Sequence, residues 1–395
     1  MPPRILIILR QETAVGYYRQ ELPSRVLKSL GYTVDFDPIP VFSQKPSTND
    51  WLLQRIGQYD IVLVDRGGSL AEIIGDPNTT PPTIGYRGIV DASPNCRMIC
   101  DFDDNFLDLP KWNESRKLFM PGMAYHVAGL AHLQLSEMTT VSTPQLLTTF
   151  TKRTHAIRCA PNHIDPADWA HPTNPARSND PNLRIFYGGA SGHYGDLAKC
   201  ETALKHLLSS PPVPFRFIAF NAIPRALHDI RRQNPKAVVS LPWVPFYDTQ
   251  PGYRRAMAWG GFDIAIAPLA DHPFNHCRSK IKFLEAAVMG QAFIASKVGP
   301  YADIPTDCAI LADNTTSSWS EGLTALLTDA SLRQSLTTRA KEYALDNWHI
   351  TQARPIWQEI IETTLSLPRI ETFEDTLVEL MDNHPEGPAP QPQLC

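Results

Sequence analysis

The chain has 395 residues and a formal net charge of −5, with 43% hydrophobic and 19% charged residues. This length exceeds one ordinary core, so we expect two or three globular domains of roughly 150 residues each. The negative charge argues against a general nucleic-acid binder, which normally presents a basic face. No stretch reaches the roughly 18 consecutive apolar residues that span a bilayer, which predicts a soluble protein with at most peripheral membrane contact.

The proline and cysteine contents narrow the class of protein further. The 36 prolines amount to roughly 9% of the chain against a usual level of about 5%, which indicates many short, stiffened loops. The seven cysteines are odd in number and scattered, without the paired spacing of a zinc site or a disulfide framework. We therefore expect a cytoplasmic protein.

Short β-rich runs alternate with helical patterns in the first half of the chain, as is typical of parallel βαβ folds. The apolar run 5–9 predicts a strand, followed by a loop up to Gly16 and a helix over 18–30 that ends at Gly31. Further predicted strands cover 32–36, 60–64, 97–102 and 139–141, and further predicted helices cover 51–56 and 143–151.

The same alternation resumes after a loop-like stretch, 162–182, that is rich in Pro, Asn, Asp and Ser. Predicted strands cover 184–187, 215–219, 238–241, 264–267 and 292–296, and predicted helices cover 195–208, 280–289, 332–347 and 350–365. We therefore predict an N-terminal domain (1–165), a C-terminal domain (166–348), a last helix (349–366) that packs back on the first domain, and a partly disordered tail (367–395).

A glycine-rich segment, YGGASGHYGD, follows the first strand of the second series. Gly188 and Gly189 let the backbone approach a ligand, and the N–H groups of the following helix suit an anion such as a diphosphate. Ser191 and His193 lie in the same loop. The spacing differs from G-x-G-x-x-G, which disfavours a nicotinamide enzyme. The alternative interpretation is a tight turn with an exposed histidine.

A second charged segment, NHCRSKIKFLE, follows the strand 264–267. We expect a polar loop over 275–279 and a helix that begins near Lys280, which places Lys282 and Glu285 on one helix face. Arg278 and Lys280 then lie near the helix N-terminus, where cations oppose the helix dipole unless an anion binds between them. The alternative is a solvated helix start with one surface ion pair.

The run KIKFLEAA at 280–287, with Gly290 and the following IAS at 294–296, resembles the donor-binding helix and next strand of GT-B glycosyltransferases, particularly the retaining family-four group. The resemblance extends to VSTP at 141–144, PNHID at 161–165 and RIFYGG at 184–189. It implies an α/β protein with two Rossmann-like parallel-sheet domains facing across a cleft. The implied activity is transfer of a sugar, with retention, from a UDP- or GDP-sugar to an acceptor hydroxyl, without a prosthetic group or required metal.

The resemblance also implies roles for individual residues. Glu285 matches the position that binds the nucleotide ribose, and Arg278 and Lys282 match those that bind the diphosphate. Gly16 would lie under the donor phosphates, or is a simple loop glycine; aromatic residues after the strand 238–241 would stack on the base, or only pack. The predicted donor-binding residues are Gly16, Gly188, Gly189, Ser191, His193, Trp243, Tyr247, Asn275, Arg278, Ser279, Lys280, Lys282 and Glu285.

One position departs from the family pattern. The family often has a second glutamate, facing the donor sugar, eight positions before the ribose-binding one, and this chain has Cys277 there. The identity of the sugar therefore stays open. Two other functions remain: a sugar-nucleotide 2-epimerase of the same fold, and a non-catalytic sugar-nucleotide-binding subunit.

The motif DFDDN, at 101–105, ends a predicted strand of the first domain. We predict that Asp103 and Asp104 are catalytic or contact the acceptor hydroxyl; a divalent metal site and a helix N-cap are the alternatives. A glycan, a lipid-linked sugar, a small metabolite and a hydroxymethylated DNA base are all compatible acceptors, with DNA disfavoured by the net charge.

Overall fold

The computed structural model describes residues 2–9, 13–38, 56–65, 95–189, 191–242, 244–246 and 252–370. The predicted helix at 51–56 lies almost entirely outside these residues, as do Trp243, Tyr247 and most of the tail. The chain forms two compact units, the first made of 1–109, 115–161 and 350–395, the second of 110–114 and 162–349.

The first unit is built on a six-stranded parallel sheet in the order β2-β1-β3-β4-β5-β6. Strands buried on both faces read as continuous apolar runs, and Ile5 to Ile8 are all buried. The strands are β1 (Arg4–Leu9), β2 (Thr33–Pro38), β3 (Ile61–Asp65), β4 (Arg97–Phe102), β5 (Met138–Val141) and β6 (Ile157–Cys159).

The helix after β1 begins earlier than predicted. Residues 14–16 already form helical turns, so Gly16 is buried in a helix and does not lie in a loop. A π-helical stretch, Tyr17–Glu21, follows directly, and Gly31 ends the helical region with a φ of +89°. The α-helices described in this unit are α1 (Ala14–Gly16), α2 (Leu22–Ser29), α3 (Ala124–Leu135), α4 (Pro144–Phe150) and, from the end of the chain, α13 (Ala353–Ser366).

The last helix, α13, completes the core of the first unit. Its residues Trp357, Ile360 and Ile361 are buried in one cluster with Ile5 and Ile99 of the sheet. The core of the first unit is therefore assembled from both ends of the chain.

A buried ion pair links the π-helical stretch to the sheet. Arg19 and Asp101 are both almost completely buried, with Arg19 Nη2 2.6 Å from Asp101 Oδ1 and Nε 2.9 Å from Oδ2. The Thr140 hydroxyl donates to the same carboxylate. We therefore assign Asp101 a structural role, which is to hold the helical region after β1 against the sheet.

Replacing Asp101 by Asn tests this pair. Removing one partner of a buried ion pair leaves an uncompensated charge, so we expect the free energy of unfolding of the first unit to fall by about 3–5 kcal/mol. Denaturant unfolding followed by circular dichroism measures the change. Glu359→Gln is the control, since its partner Arg158 and Glu359 itself are 41% and 64% exposed, and it should cost under about 1 kcal/mol. Equal effects of the two substitutions contradict the assignment.

The second unit contains another six-stranded parallel sheet, in the order β12-β11-β10-β7-β8-β9. Its core lies between this sheet and helices that bury Trp319 and Leu323 against Ile185, Ile264 and Ile294. The strands are β7 (Leu183–Gly189), β8 (Phe215–Asn221), β9 (Val238–Leu241), β10 (Ile264–Ala267), β11 (Ala292–Ser296) and β12 (Ile310–Ala312).

The helix predicted at 195–208 is interrupted. The structure has a short helix, Tyr194–Leu197, and then a separate one, Glu201–Ser209. The α-helices described in this unit are α5 (Tyr194–Leu197), α6 (Glu201–Ser209), α7 (His228–Gln233), α8 (Tyr253–Gly260), α9 (Pro273–His276), α10 (Ile281–Val288), α11 (Thr316–Thr328) and α12 (Ala330–Trp348).

The predicted fold class is confirmed. Each unit is a parallel α/β sheet with helices, as expected of Rossmann-like domains. Within the described ranges, no helix combines the length and the apolar character needed to cross a membrane.

Candidate functional site

The two segments singled out in the second unit follow neighbouring strands. β7 and β10 pair in parallel, with Ile185 opposite Ile264, so the chain leaves both at the same edge of the sheet. The loop after β7 contains His193, and the segment after β10 contains Arg278. This edge is where ligands bind in open α/β sheets.

A buried carboxylate, Asp196, holds these two segments together. Its Oδ2 accepts a hydrogen bond from Nδ1–H of His193 at 2.9 Å. Its Oδ1 accepts from the backbone N–H of Ala270 at 2.9 Å and from the Asn275 amide at 2.7 Å. Asp196 was not among the predicted site residues, although it is the last residue of YGGASGHYGD and lies three positions after His193.

Two cations lie beside this carboxylate. Nη1 of Arg278 is 3.2 Å from Nδ1 and 3.3 Å from Nε2 of His193. The ammonium of Lys282 lies 4.6 Å from the centre of the Tyr187 ring, where the face of the ring attracts a cation. The structure thus brings the two predicted diphosphate-binding residues together with His193.

Burial and the nearby cations lower the pKa values of two residues in the site. Burial, and then the charges of Arg278 and Lys282, lower the pKa of His193 to about 4 although the Asp196 carboxylate opposes the shift. Burial and the charge of Arg278 lower the pKa of Lys282 to about 8. At neutral pH the site therefore holds a neutral imidazole, two cations and the Asp196 anion, and an additional anion is favoured between the cations.

The ribose-binding candidate, Glu285, is only 6% exposed. It lies three positions after Lys282 on α10, and its Oε2 accepts a hydrogen bond from the Tyr253 hydroxyl at 3.2 Å. The ring of Tyr253 stacks on Phe246, with centroids 5.6 Å apart. The burial of Glu285 argues against a solvated surface at this point of the helix. No local sequence pattern indicated the contact with Tyr253.

The two predicted glycines at the end of β7 lie close to aromatic side chains, most closely at Gly189. A Cβ added at Gly188 would lie 3.1 Å from the Tyr253 hydroxyl, and one at Gly189 would lie 2.4 Å from the Tyr187 hydroxyl. Both belong to the end of β7, and Ser191 begins the 3₁₀ turn that contains His193.

The predicted polar loop 275–279 is partly helical. Asn275 belongs to α9, where Pro273 occupies the first turn and His272 accepts from the N–H of Phe274 as the N-cap. Asn275 is 1% exposed, because its amide bonds to Asp196 inside the unit. The prediction that Asn275 lies in a loop is therefore wrong, since the residue lies in a buried helical turn. Cys277 is 4% exposed.

The other two predicted residues of this segment have separate contacts. The Ser279 hydroxyl accepts a hydrogen bond from the Asn162 amide at 2.9 Å. Lys280 forms an ion pair of 2.9 Å with Asp303, and its ammonium lies 5.0 Å from the Trp348 ring. The basic run therefore splits, with Arg278 and Lys282 beside His193 and Lys280 beside Asp303.

The remaining predicted residues belong to the first unit. Asp103 and Asp104 are half-buried in turns that follow β4, and the Ser142 hydroxyl donates to the backbone carbonyl of Asp103. The N-cap interpretation is wrong, because the next helical turn begins at Glu114. Among the described residues, no group of three or more His, Cys, Asp or Glu is arranged to hold a metal ion.

No family model matches the sequence, and no curated protein is significantly similar to it. Solved structures do share its fold. Sucrose-phosphate synthase from Thermosynechococcus elongatus is 13% identical with a TM-score of 0.64, covering 92% of this chain and 99% of the other. Anabaena HepE in complex with UDP-glucose is 14% identical with a TM-score of 0.62, covering 92% and 100%.

A glycosyltransferase from Rickettsia africae has the same fold, at 11% identity and a TM-score of 0.61, covering 92% of this chain and 99% of the other. The predicted GT-B architecture, with two parallel α/β domains, is therefore confirmed.

Replacing Asp196 by Ala tests its structural role. The change leaves the Ala270 N–H and one N–H of the Asn275 amide without a buried acceptor, while the other N–H of that amide still donates to the Ala270 carbonyl. We expect the second unit to lose about 3 kcal/mol of stability. Denaturant unfolding measures this. Asp271→Ala is the matched control, because Asp271 is 78% exposed and bonds only to the exposed His276 in the described structure; it should cost under about 1 kcal/mol. A smaller loss for Asp196 than for Asp271 contradicts the role.

Proposed function

We propose that the protein is a glycosyltransferase that moves a sugar from a nucleoside-diphosphate sugar to an acceptor hydroxyl, with retention. One observation carries the proposal: Arg278 and Lys282 lie beside a neutral His193, with the buried carboxylate of Glu285 one helical turn further along α10. Paired cations suit a diphosphate, and a carboxylate suits the two hydroxyls of a ribose.

The solved structures that share this fold indicate which donor to test first. The structure of Anabaena HepE contains UDP-glucose, and we infer a UDP-sugar as the first donor to test. GDP-sugars are the second choice.

The site supplies charge stabilisation to the reaction. As the bond between the sugar and the diphosphate breaks, negative charge grows on the leaving phosphate, and Arg278 and Lys282 are already in place to stabilise it. His193, held by Asp196, stays neutral and does not add a third positive charge. We propose that Asp103 and Asp104 orient the acceptor hydroxyl.

We also propose that the protein acts in the cytoplasm. Cys159, Cys200 and Cys308 are free thiols, and Cys200 and Cys308 are buried. Free cysteines in these numbers suit a reducing compartment. A glycan, or another compound that offers a hydroxyl, is the proposed acceptor.

A thermal-shift and turnover assay tests the function. A ligand at about 100 times its dissociation constant stabilises a folded protein by about 2.7 kcal/mol, so UDP or GDP should raise the melting temperature of the wild type. We expect Lys282→Ala to abolish that shift and to lower the release of nucleoside diphosphate from its sugar by about 10²–10³-fold.

Lys205→Ala, which removes an exposed lysine of α6, is the control and should behave as the wild type. Unchanged release by Lys282→Ala refutes the assignment of Lys282. Interconversion of nucleotide sugars without release of nucleoside diphosphate refutes transfer in favour of epimerisation.

The pH dependence of nucleotide binding tests the charge of Lys282 separately. Since the pKa of Lys282 is about 8, the unliganded protein loses this cation as the pH rises through that value. A bound diphosphate favours the charged form, so affinity should fall by about tenfold between about pH 7 and about pH 9.5.

Isothermal titration calorimetry over this range measures the affinity. Lys282→Arg keeps its charge throughout and should show no such fall. The same slope in the wild type and in Lys282→Arg contradicts the titration of Lys282 as the cause.

A further inference from the structure

A short segment, 110–114, belongs to the second unit although the residues on both sides of it belong to the first. It forms a turn in which the N–H of Asn113 donates to the carbonyl of Pro110 at 2.9 Å. The two residues at its centre, Trp112 and Asn113, contact the loop after β7.

Trp112 packs against both segments that form the candidate site. A Cβ added at Gly195 would lie 2.4–2.6 Å from three atoms of the indole ring, so the ring lies directly on the backbone of α5. The same ring makes an edge contact with His272, at a centroid distance of 5.6 Å. Gly195 lies two positions after His193, and His272 is the N-cap of α9.

The indole has hydrogen-bonding capacity that the described protein does not use. Its Nε1–H is buried and has no acceptor among the described residues. A buried donor without a partner costs about 1–3 kcal/mol, and the indole N–H groups of Trp169, Trp319 and Trp348 are in the same state. The contribution of Trp112 is therefore its packing on Gly195 and His272.

Asn113 lies along the glycine-rich loop itself. A Cβ added at Gly192 would be 3.6–3.7 Å from the side-chain amide of Asn113, which is ordinary contact with the residue that precedes His193. An amide offers two donors and one acceptor without a net charge. It therefore suits the hydroxyls of a sugar, whereas the diphosphate is matched by the charges of Arg278 and Lys282.

We infer that Asn113 is a sugar-selecting residue of the donor site and that Trp112 is the positioning residue that holds it against the loop. This inference rests on the proposed function. The buried thiol of Cys277 stands where the resemblance to family-four enzymes expects a sugar-facing acid, so a polar contact with the sugar has to come from another residue. The neutral amide of Asn113 makes the contact with the hydroxyls of the transferred hexose.

Calorimetric titration of two ligand pairs, UDP with UDP-glucose and GDP with GDP-mannose, tests the inference. For the pair that binds the wild type, Asn113→Ala should leave the affinity for the nucleoside diphosphate within about twofold. It should lower the affinity for the sugar nucleotide by about threefold to tenfold, which is the effect of one or two hydrogen bonds. Trp112→Ala should likewise lower the ratio of the affinity for the sugar nucleotide to the affinity for the nucleoside diphosphate.

Two controls separate this effect from general damage. Asn347→Ala removes an exposed asparagine of α12 that bonds to the backbone of its own helix, and Trp259→Ala removes a tryptophan that is 54% exposed; neither should change the ratio. An equal loss for nucleoside diphosphate and sugar nucleotide in Asn113→Ala, or no loss, overturns the inference while the proposed function stands. Failure of the wild type to bind any of the four compounds overturns both.

Discussion

The hydrogen bonds to the buried carboxylate of Asp196 set the geometry of the second unit's loops. One oxygen holds His193 after β7, and the other holds Ala270 and Asn275 after β10. The loops follow adjacent parallel strands, but strand pairing ends before they begin. A carboxylate with two oxygens can bond to both loops, and an alanine or a leucine cannot. Arg278 therefore approaches His193 because Asp196 fixes the segments on which both lie.

The positive and negative charges of the site occupy different positions, with Lys282 near the start of α10 and Glu285 one turn later. Lys282 is buried and lies close to Arg278, and burial and then the charge of Arg278 lower the pKa of the lysine. Glu285 is oriented instead by the hydroxyl of Tyr253, within a group of aromatic rings that includes Phe246. A ligand with an anionic part and a polyhydroxyl part fits such a division, with Arg278 and Lys282 as the cations for the anionic part while His193 is neutral.

The sequence predicted the sheets better than the contacts between loops. The bounds 97–102, 238–241, 264–267 and 292–296 agree with the strands. The last two are buried apolar runs between turn residues, which is the clearest local signal of a strand in a parallel sheet. The three-residue strands β6 and β12 are too short to show a period. The burial of Asn275 and the role of Asp196 depend on the pairing of β7 with β10, which joins residues about 80 positions apart, and no local pattern records such a pairing.

The position of α13 has a consequence for how the chain folds. Trp357, Ile360 and Ile361 belong to the core of the first unit, yet they are synthesised after the whole of the second unit. At about 5–20 residues per second, the roughly 200 residues between β6 and the end of α13 take about 10–40 s to emerge. During that interval the apolar surface around Ile5 and Ile99 lacks its last helix, so the nascent first unit depends on its own sheet pairing until α13 has been synthesised.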